Sequence, residues 1–192
     1  EAEVRALVSR IVSGLDGGGD ASPAAAAPQP APTAPPSPGT MPAIAIGADH
    51  GGFPLKERIG FRLKEQGYGV VDCGTDSSDS VDYPDFAHAV AHKVASGAAV
   101  YGIIVDGAGI GSAMVANKVP GIRAALCYDI SSARNSREHN HANVLTLGAG
   151  LVGTSLALQI VEAWLDTPWA EGRHARRVTK ISDVERQYTR SA

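Results

Sequence analysis

The spacing of hydrophobic residues along this 192-residue chain divides it into three parts. Over residues 1–16, Val4, Leu7, Val8, Ile11, Val12 and Leu15 fall at i, i+3, i+4, i+7, i+8 and i+11, the single stripe of an amphipathic helix. A helix this short is marginal alone in water, so its apolar stripe calls for a partner. Residues 17–42 carry eight of the twelve prolines among alanine, glycine and serine, which predicts a linker. Extended at about 3.1 Å per residue, it would reach on the order of 80 Å. From residue 43 onward short apolar runs alternate with helical periodicity. Strands are predicted near 43–47, 68–73, 101–106, 123–127 and 144–147, and helices near 54–66, 84–96, 111–118, 131–140 and 153–166. Five successive βα units specify a doubly wound, five-stranded parallel sheet in a three-layer αβα arrangement over residues 43–192. The loops after its strands should line one edge, where ligand-binding side chains are expected.

Composition adds limits. Hydrophobic residues make up 44% of the chain and charged residues 19%, a globular balance. The net charge of -3 gives no general affinity for nucleic acid or anionic membrane, so any anion site must be local. No apolar run approaches the roughly 18 residues of a membrane span. Glu1, Glu3 and Asp16 break up the first helix in a way that a secretory signal does not tolerate. Cys73 and Cys127 end predicted strands without metal-ligand spacing and read as buried free thiols of a reducing compartment, which makes the expected location cytoplasmic.

Candidate chemistry follows the strand ends. In Ile103–Lys118 a buried strand ends in Asp106, glycines follow at 107, 109 and 111, and a small-residue helix begins. Such glycines let backbone N–H groups approach an anion; tight packing alone is the other reading. The G-x-G-x-G spacing is neither the dinucleotide fingerprint nor a P-loop, so no nucleotide cofactor is expected. Asp49 and His50 follow the first strand, placing a carboxylate beside an imidazole suited to proton transfer. In Asp82-Tyr83-Pro84-Asp85 the acids and the proline suit a helix start, leaving Tyr83 to face a ligand. His139, Asn140 and His141 concentrate polar side chains near the end of the fourth helix. Arg173, His174, Arg176 and Arg177 match phosphate geometry or form a solvated basic patch.

Taken together, these loops resemble a known family. The strings Gly-Ala-Asp-His-Gly-Gly-Phe, Val-Asp-Tyr-Pro-Asp, Gly-x-Gly-Ile-Gly with Ala-Asn-Lys-Val-Pro-Gly-Ile-Arg-Ala-Ala-Leu-Cys, Ser-Arg-Glu-His-Asn and Glu-Gly-Arg-His-Ala-Arg-Arg-Val are similar to those of the type B ribose-5-phosphate isomerases, which include galactose-6-phosphate isomerase subunits. The resemblance covers residues 43–180. It implies a Rossmann-like domain, an aldose–ketose isomerase without metal or cofactor, and a homodimer or dimer of dimers whose active sites are shared across the interface. By position, His139 resembles the group that opens the sugar ring, aided by Asp49. Asn140, Gly107, Ala108, Gly109, Gly111 and Ser112 resemble the hydroxyl and oxyanion contacts. His50, Arg173 and Arg177, with His174 beside them, resemble the phosphate ligands, the arginines reaching across the dimer.

The chain also departs from the family's pattern. Most members have Cys in place of Asp106 and Thr in place of Ala108, and a second subgroup has a Glu base in place of Ser112. A carboxylate can perform the same proton transfer, so Asp106 is the candidate base. Many members have Asp at His141 and Arg at Gly150, and His141 is expected to supply part of the missing positive charge. The expected reaction is interconversion of ribose 5-phosphate and ribulose 5-phosphate. The alternatives are a tetrose 4-phosphate isomerase (erythrose/erythrulose) and a non-catalytic sugar-phosphate-binding protein. The helix and linker over residues 1–42 resemble the encapsulation peptides that carry enzymes into bacterial microcompartments, with shell or cargo proteins as partners.

Overall fold

The computed structural model describes residues 42–189; the helix expected over 1–16 and all but the last residue of the expected linker lie outside them. Strands β1 (Ala43–Ala48), β2 (Gly69–Asp72), β3 (Tyr101–Asp106), β4 (Ala124–Leu126) and β5 (Val144–Gly148) form one parallel sheet in the order β2-β1-β3-β5-β4. Helices α1 (Phe53–Glu65), α2 (Tyr83–Ala95), α3 (Ile110–Ala116), α4 (Ile130–Asn140) and α5 (Thr154–Asp166) lie within two residues of their expected bounds. A sixth helix, α6 (Arg173–Tyr188), was not expected. No described helix is long and apolar enough to cross a membrane.

The three inner strands, β1, β3 and β5, are buried on both faces, and the pleat divides their side chains between two cores. Ile44, Ile46, Ile103, Val105, Leu145 and Leu147 meet Ile59 and Leu63 of α1 and Ile160 and Trp164 of α5. Ala45, Ile104 and Val144 face the other way, toward Val90 and Ala91 of α2 and Ala116 of α3. That second face carries small residues because α2 comes close. A Cβ on Gly47 or Gly102 would fall 2.8 or 2.7 Å from a Val90 methyl. Burying each large aliphatic side chain contributes roughly 1.5–3 kcal/mol, so the two cores hold the layers together.

The sheet order reverses between β1 and β3, and open α/β sheets bind ligands outside the strand ends at such a point. Glycines shape the loops that flank it. Gly52, ahead of α1, lies so close to β3 that a Cβ would sit 2.2 Å from the Val105 carbonyl oxygen. Gly109 takes a left-handed φ of 78° at the start of α3, where a Cβ would stand 2.5 Å from Leu126 Cδ1. At the opposite edge of the sheet, the Asn117 side chain pairs with β4: Nδ2 donates to the Ala124 carbonyl at 2.9 Å and Oδ1 accepts from the Ala124 N–H at 2.9 Å. Both cysteines are free thiols as expected; Cys127 is buried, whereas Cys73 is only half-buried.

Candidate active site

The expected site residues fall into two clusters. The first lies at the C-terminal edge of the sheet, around the β1/β3 reversal. Asp49 leaves β1 and accepts from the Gly52 N–H at 2.8 Å, a bond that shapes the turn into α1. His50 is exposed, and its Nδ1 receives the Val81 N–H at 3.2 Å. Tyr83, the first residue of α2, lays its ring over Gly111: a Cβ there would be 2.5 Å from Tyr83 Cζ.

Asp106 ends β3 with its carboxylate turned into the glycine loop. Oδ1 accepts from the N–H of Ala108 at 2.8 Å and from the N–H of Gly109, while Oδ2 accepts from the Ser112 N–H at 3.1 Å and the Ser112 hydroxyl at 2.5 Å. The side chain is 5% exposed and Ser112 is fully buried. The amides expected to receive a substrate oxyanion thus converge on the chain's own carboxylate in this structure. The loop is clamped from β5, where Ala149 donates to the Asp106 carbonyl at 2.8 Å and Gly150 to that of Gly107 at 2.9 Å. A Cβ on Gly150 would come within 3.0 Å of the Gly107 oxygen, so a larger residue here would press on this clamp. Tyr128, not anticipated from the sequence, donates its hydroxyl to the Ala108 carbonyl at 2.9 Å. Its position directly after β4, in a strand-end loop, is the signal that would have found it.

The second cluster lies at the opposite edge. Because α4 runs back against the strands, its last turn ends beside the start of β5. Arg137 on that turn donates to the hydroxyl of Tyr101, the first residue of β3, at 2.7 Å. His139 receives Asn135 Nδ2 on Nδ1 at 2.8 Å and stacks on His174 with ring centroids 4.2 Å apart and planes 2° from parallel. His174 is buried, takes an N–H from Arg173 Nε on Nε2 at 3.3 Å, and has no partner for Nδ1. Desolvation, then His139, Arg173 and Arg177, hold it below the usual imidazole range, in keeping with a neutral ring accepting from an arginine. Asn140 Nδ2 rests 3.5 Å from the Asn135 side-chain oxygen, and Arg173 and Arg177 are exposed on the first turns of α6.

The His141 ring stacks on Trp169, with centroids 4.7 Å apart, and burial beside Arg123 and Arg137 lowers its pKa to about 4, which favours the neutral ring over the cation.

The two clusters are separated by the rise of β5 from Val144 to Gly148, about 13 Å at 3.3 Å per residue. Asp49 and His139, expected to act together, therefore stand at opposite sheet edges of one chain. The strand-end loops collect Asp49, His50 and Asp106 to Ser112, as expected, together with the unanticipated Tyr128, but the histidine and arginine segments sit on helix ends at the other edge.

Fold and site define a doubly wound α/β protein with acid–base side chains and a loop of convergent amides at the sheet's C-terminal edge. The chain belongs to the family described as Ribose/Galactose Isomerase, whose sequence model matches residues 44–181. Ribose-5-phosphate isomerase B of Escherichia coli is 46% identical over 147 residues, 77% of this chain and 99% of that protein. D-erythrulose-4-phosphate isomerase of Pectobacterium atrosepticum is 43% identical over 148 residues, 77% of this chain and 97% of that one. Among solved structures, ribose-5-phosphate isomerase B of Clostridium thermocellum superposes with a TM-score of 0.76 at 52% identity, covering 77% of this chain and 99% of that one. The chain is thus a sugar-phosphate isomerase of this type, with the α/β fold of its relatives.

Proposed function

We propose that this isomerase interconverts ribose 5-phosphate and ribulose 5-phosphate in a site completed by a second copy of the chain. One copy supplies Asp49, His50, Tyr83 and the loop from Asp106 to Ser112; the other supplies His139, Asn140, Arg173 and Arg177. The observation that carries the composite site is the separation of these groups at opposite sheet edges, a distance no hydrogen bond spans. The helix that bears the arginines also has unfilled apolar surface. Ile181, Val184 and Tyr188 of α6 are 48%, 55% and 83% exposed and border a cavity of about 750 Å³ with Ile122, Arg123 and Ala124. A second copy covering that stripe would bring its own α6 into play by symmetry.

In the reaction, His139 assists ring opening. Asp106 removes the proton on the carbon beside the carbonyl, giving an enediolate, and returns it to the neighbouring carbon. Loop amides other than the three that Asp106 engages stabilise the charge on oxygen as it develops, and Arg173, Arg177 and His50 hold the phosphate. Incubation with a panel of sugar phosphates, following ketose formation, tests the reading. Turnover is expected with ribose 5-phosphate; no turnover of any member refutes it. Glycine in place of arginine at 150, together with the erythrulose-4-phosphate isomerase among the relatives, favours a tetrose 4-phosphate as the second candidate. Residues 1–42 are proposed as a microcompartment delivery segment. Fused to a fluorescent reporter, they are expected to concentrate it in shells, and a diffuse signal in shell-forming cells counts against this role.

A further inference from the structure

We infer that Ser112 is the positioning residue of the Asp106 base, because its hydroxyl is the one observed partner of the carboxylate that can serve both protonation states. The inference rests on the isomerase reading above and concerns how its proton-transfer group is handled. Of the four donors on Asp106, three are backbone amides, those of Ala108, Gly109 and Ser112. They are fixed by the left-handed turn at Gly109 and the first turn of α3. An amide N–H only donates, so it serves a carboxylate and has nothing to offer an acid's O–H. The Ser112 hydroxyl is a rotor with one proton and two lone pairs. Facing Oδ2 at 2.5 Å, it donates while Asp106 is ionised. Once Asp106 is protonated, it can turn and accept.

The step balances without any further reactant. The carbon-bound proton of the substrate bonds to Oδ2, the C–H electron pair becomes the C=C bond of the enediolate, and the carbonyl π pair moves onto oxygen. The same proton then leaves Oδ2 for the adjacent carbon, which takes the C=C pair; the hydroxyl proton on C2 passes to the oxygen on C1 as the C2 oxygen becomes the new carbonyl, and Asp106 is ionised again. Between those events the acid O–H needs an acceptor. Ser112 is fully buried beside it, where an unpaired polar group is costly. The hydroxyl turn gives the acid O–H an acceptor while the backbone of the loop stays fixed.

The test measures kcat, KM and the primary deuterium isotope effect on whichever sugar phosphate the wild type isomerises, the aldose carrying deuterium at C2. Ser112→Ala is expected to lower kcat about 10-fold or more with KM within about twofold, and to raise the isotope effect as proton transfer becomes slower. Ser112→Thr keeps the hydroxyl and should restore kcat to within about threefold of wild type. If Ser112→Ala fails to give a cooperative melt, Ser112→Cys, of similar bulk but with weak hydrogen bonds, is expected to show the same loss of kcat. A wild-type kcat in the Ala or Cys variant overturns the inference while the isomerase reading stands. A wild type that turns over none of the sugar phosphates overturns the isomerase reading, and the inference with it.

Discussion

Two damaged copies of this protein should repair one another. Asp106→Asn disables the cluster at the C-terminal edge of the sheet, and His139→Ala disables the cluster at the other edge. Each variant alone is expected to lose at least about 100-fold in kcat, the scale of a lost acid–base group. In a dimer that pairs one of each, one site draws both its halves from damaged surfaces, and the other draws both from intact ones. Random exchange in an equal mixture makes half the dimers mixed, and half the sites in those are whole, so activity should return to about one quarter of wild type. The structure sets up this arithmetic, because the rise of β5 between the clusters, about 13 Å, is several times a hydrogen-bond length. Co-refolding the two variants, or co-expressing them under different affinity tags and purifying the mixed dimer, supplies the sample, and a ketose assay reads it. If the mixture stays as inactive as its components although mixed dimers are isolated, both clusters act within one chain and the composite site is wrong.

Other perturbations test the surrounding architecture. Val184→Glu places a charge on the exposed stripe of α6 and is expected to shift the protein toward monomer by light scattering and to lower activity with it; an active dimer would exclude this face. His141 is held down to about 4 by burial, Arg123 and Arg137, against an ordinary value near 6.5. The fold thus favours the neutral ring, and this contribution is complete above about pH 6.5 and is lost as pH falls through 4; after allowance for solvent screening at this half-exposed ring it is about 1–2 kcal/mol. His141→Gln should flatten the change in melting temperature over that window, and an unaltered pH dependence would argue against it. Gly109→Ala puts a Cβ 2.5 Å from Leu126 Cδ1 at a φ of 78°, and should cost about 1–3 kcal/mol of stability in a denaturant melt together with most of the activity.

Much of this arrangement was legible in the residue pattern, for identifiable physical reasons. Strand runs such as Tyr101–Asp106 are short, apolar and bounded by glycine, so a parallel sheet was nearly forced. Asp106 was recognisable as a strand-end carboxylate. Its hydrogen bonds were not, since they depend on how Gly109 and the first turn of α3 aim three amides at one point. The direction of α4 was not legible in the residue types. His139 and Asn140 follow a strand by about a dozen residues, and that length of helix carries them back to the far edge. The helix α6 went unrecognised because Arg, His and Lys dominate it, although Val178, Ile181, Val184 and Tyr188 keep a helical spacing. The state of His141 depends first on burial, to which the distant Trp169 contributes by stacking, and then on the guanidinium groups of Arg123 and Arg137.

At the outer rim of the sheet, the pairing of Asn117 with Ala124 works as a terminator. A strand as short as β4 still offers its backbone to any extended segment that drifts past, another copy of the same chain included. The Asn117 amide presents a donor and an acceptor in the geometry of a peptide group, so β4 meets an imitation of one further strand that cannot be extended. Growth of the sheet stops at a side chain. A second copy that approaches this rim meets a side chain where a free strand edge would otherwise be, beside the helix that carries the arginines and the apolar stripe of α6.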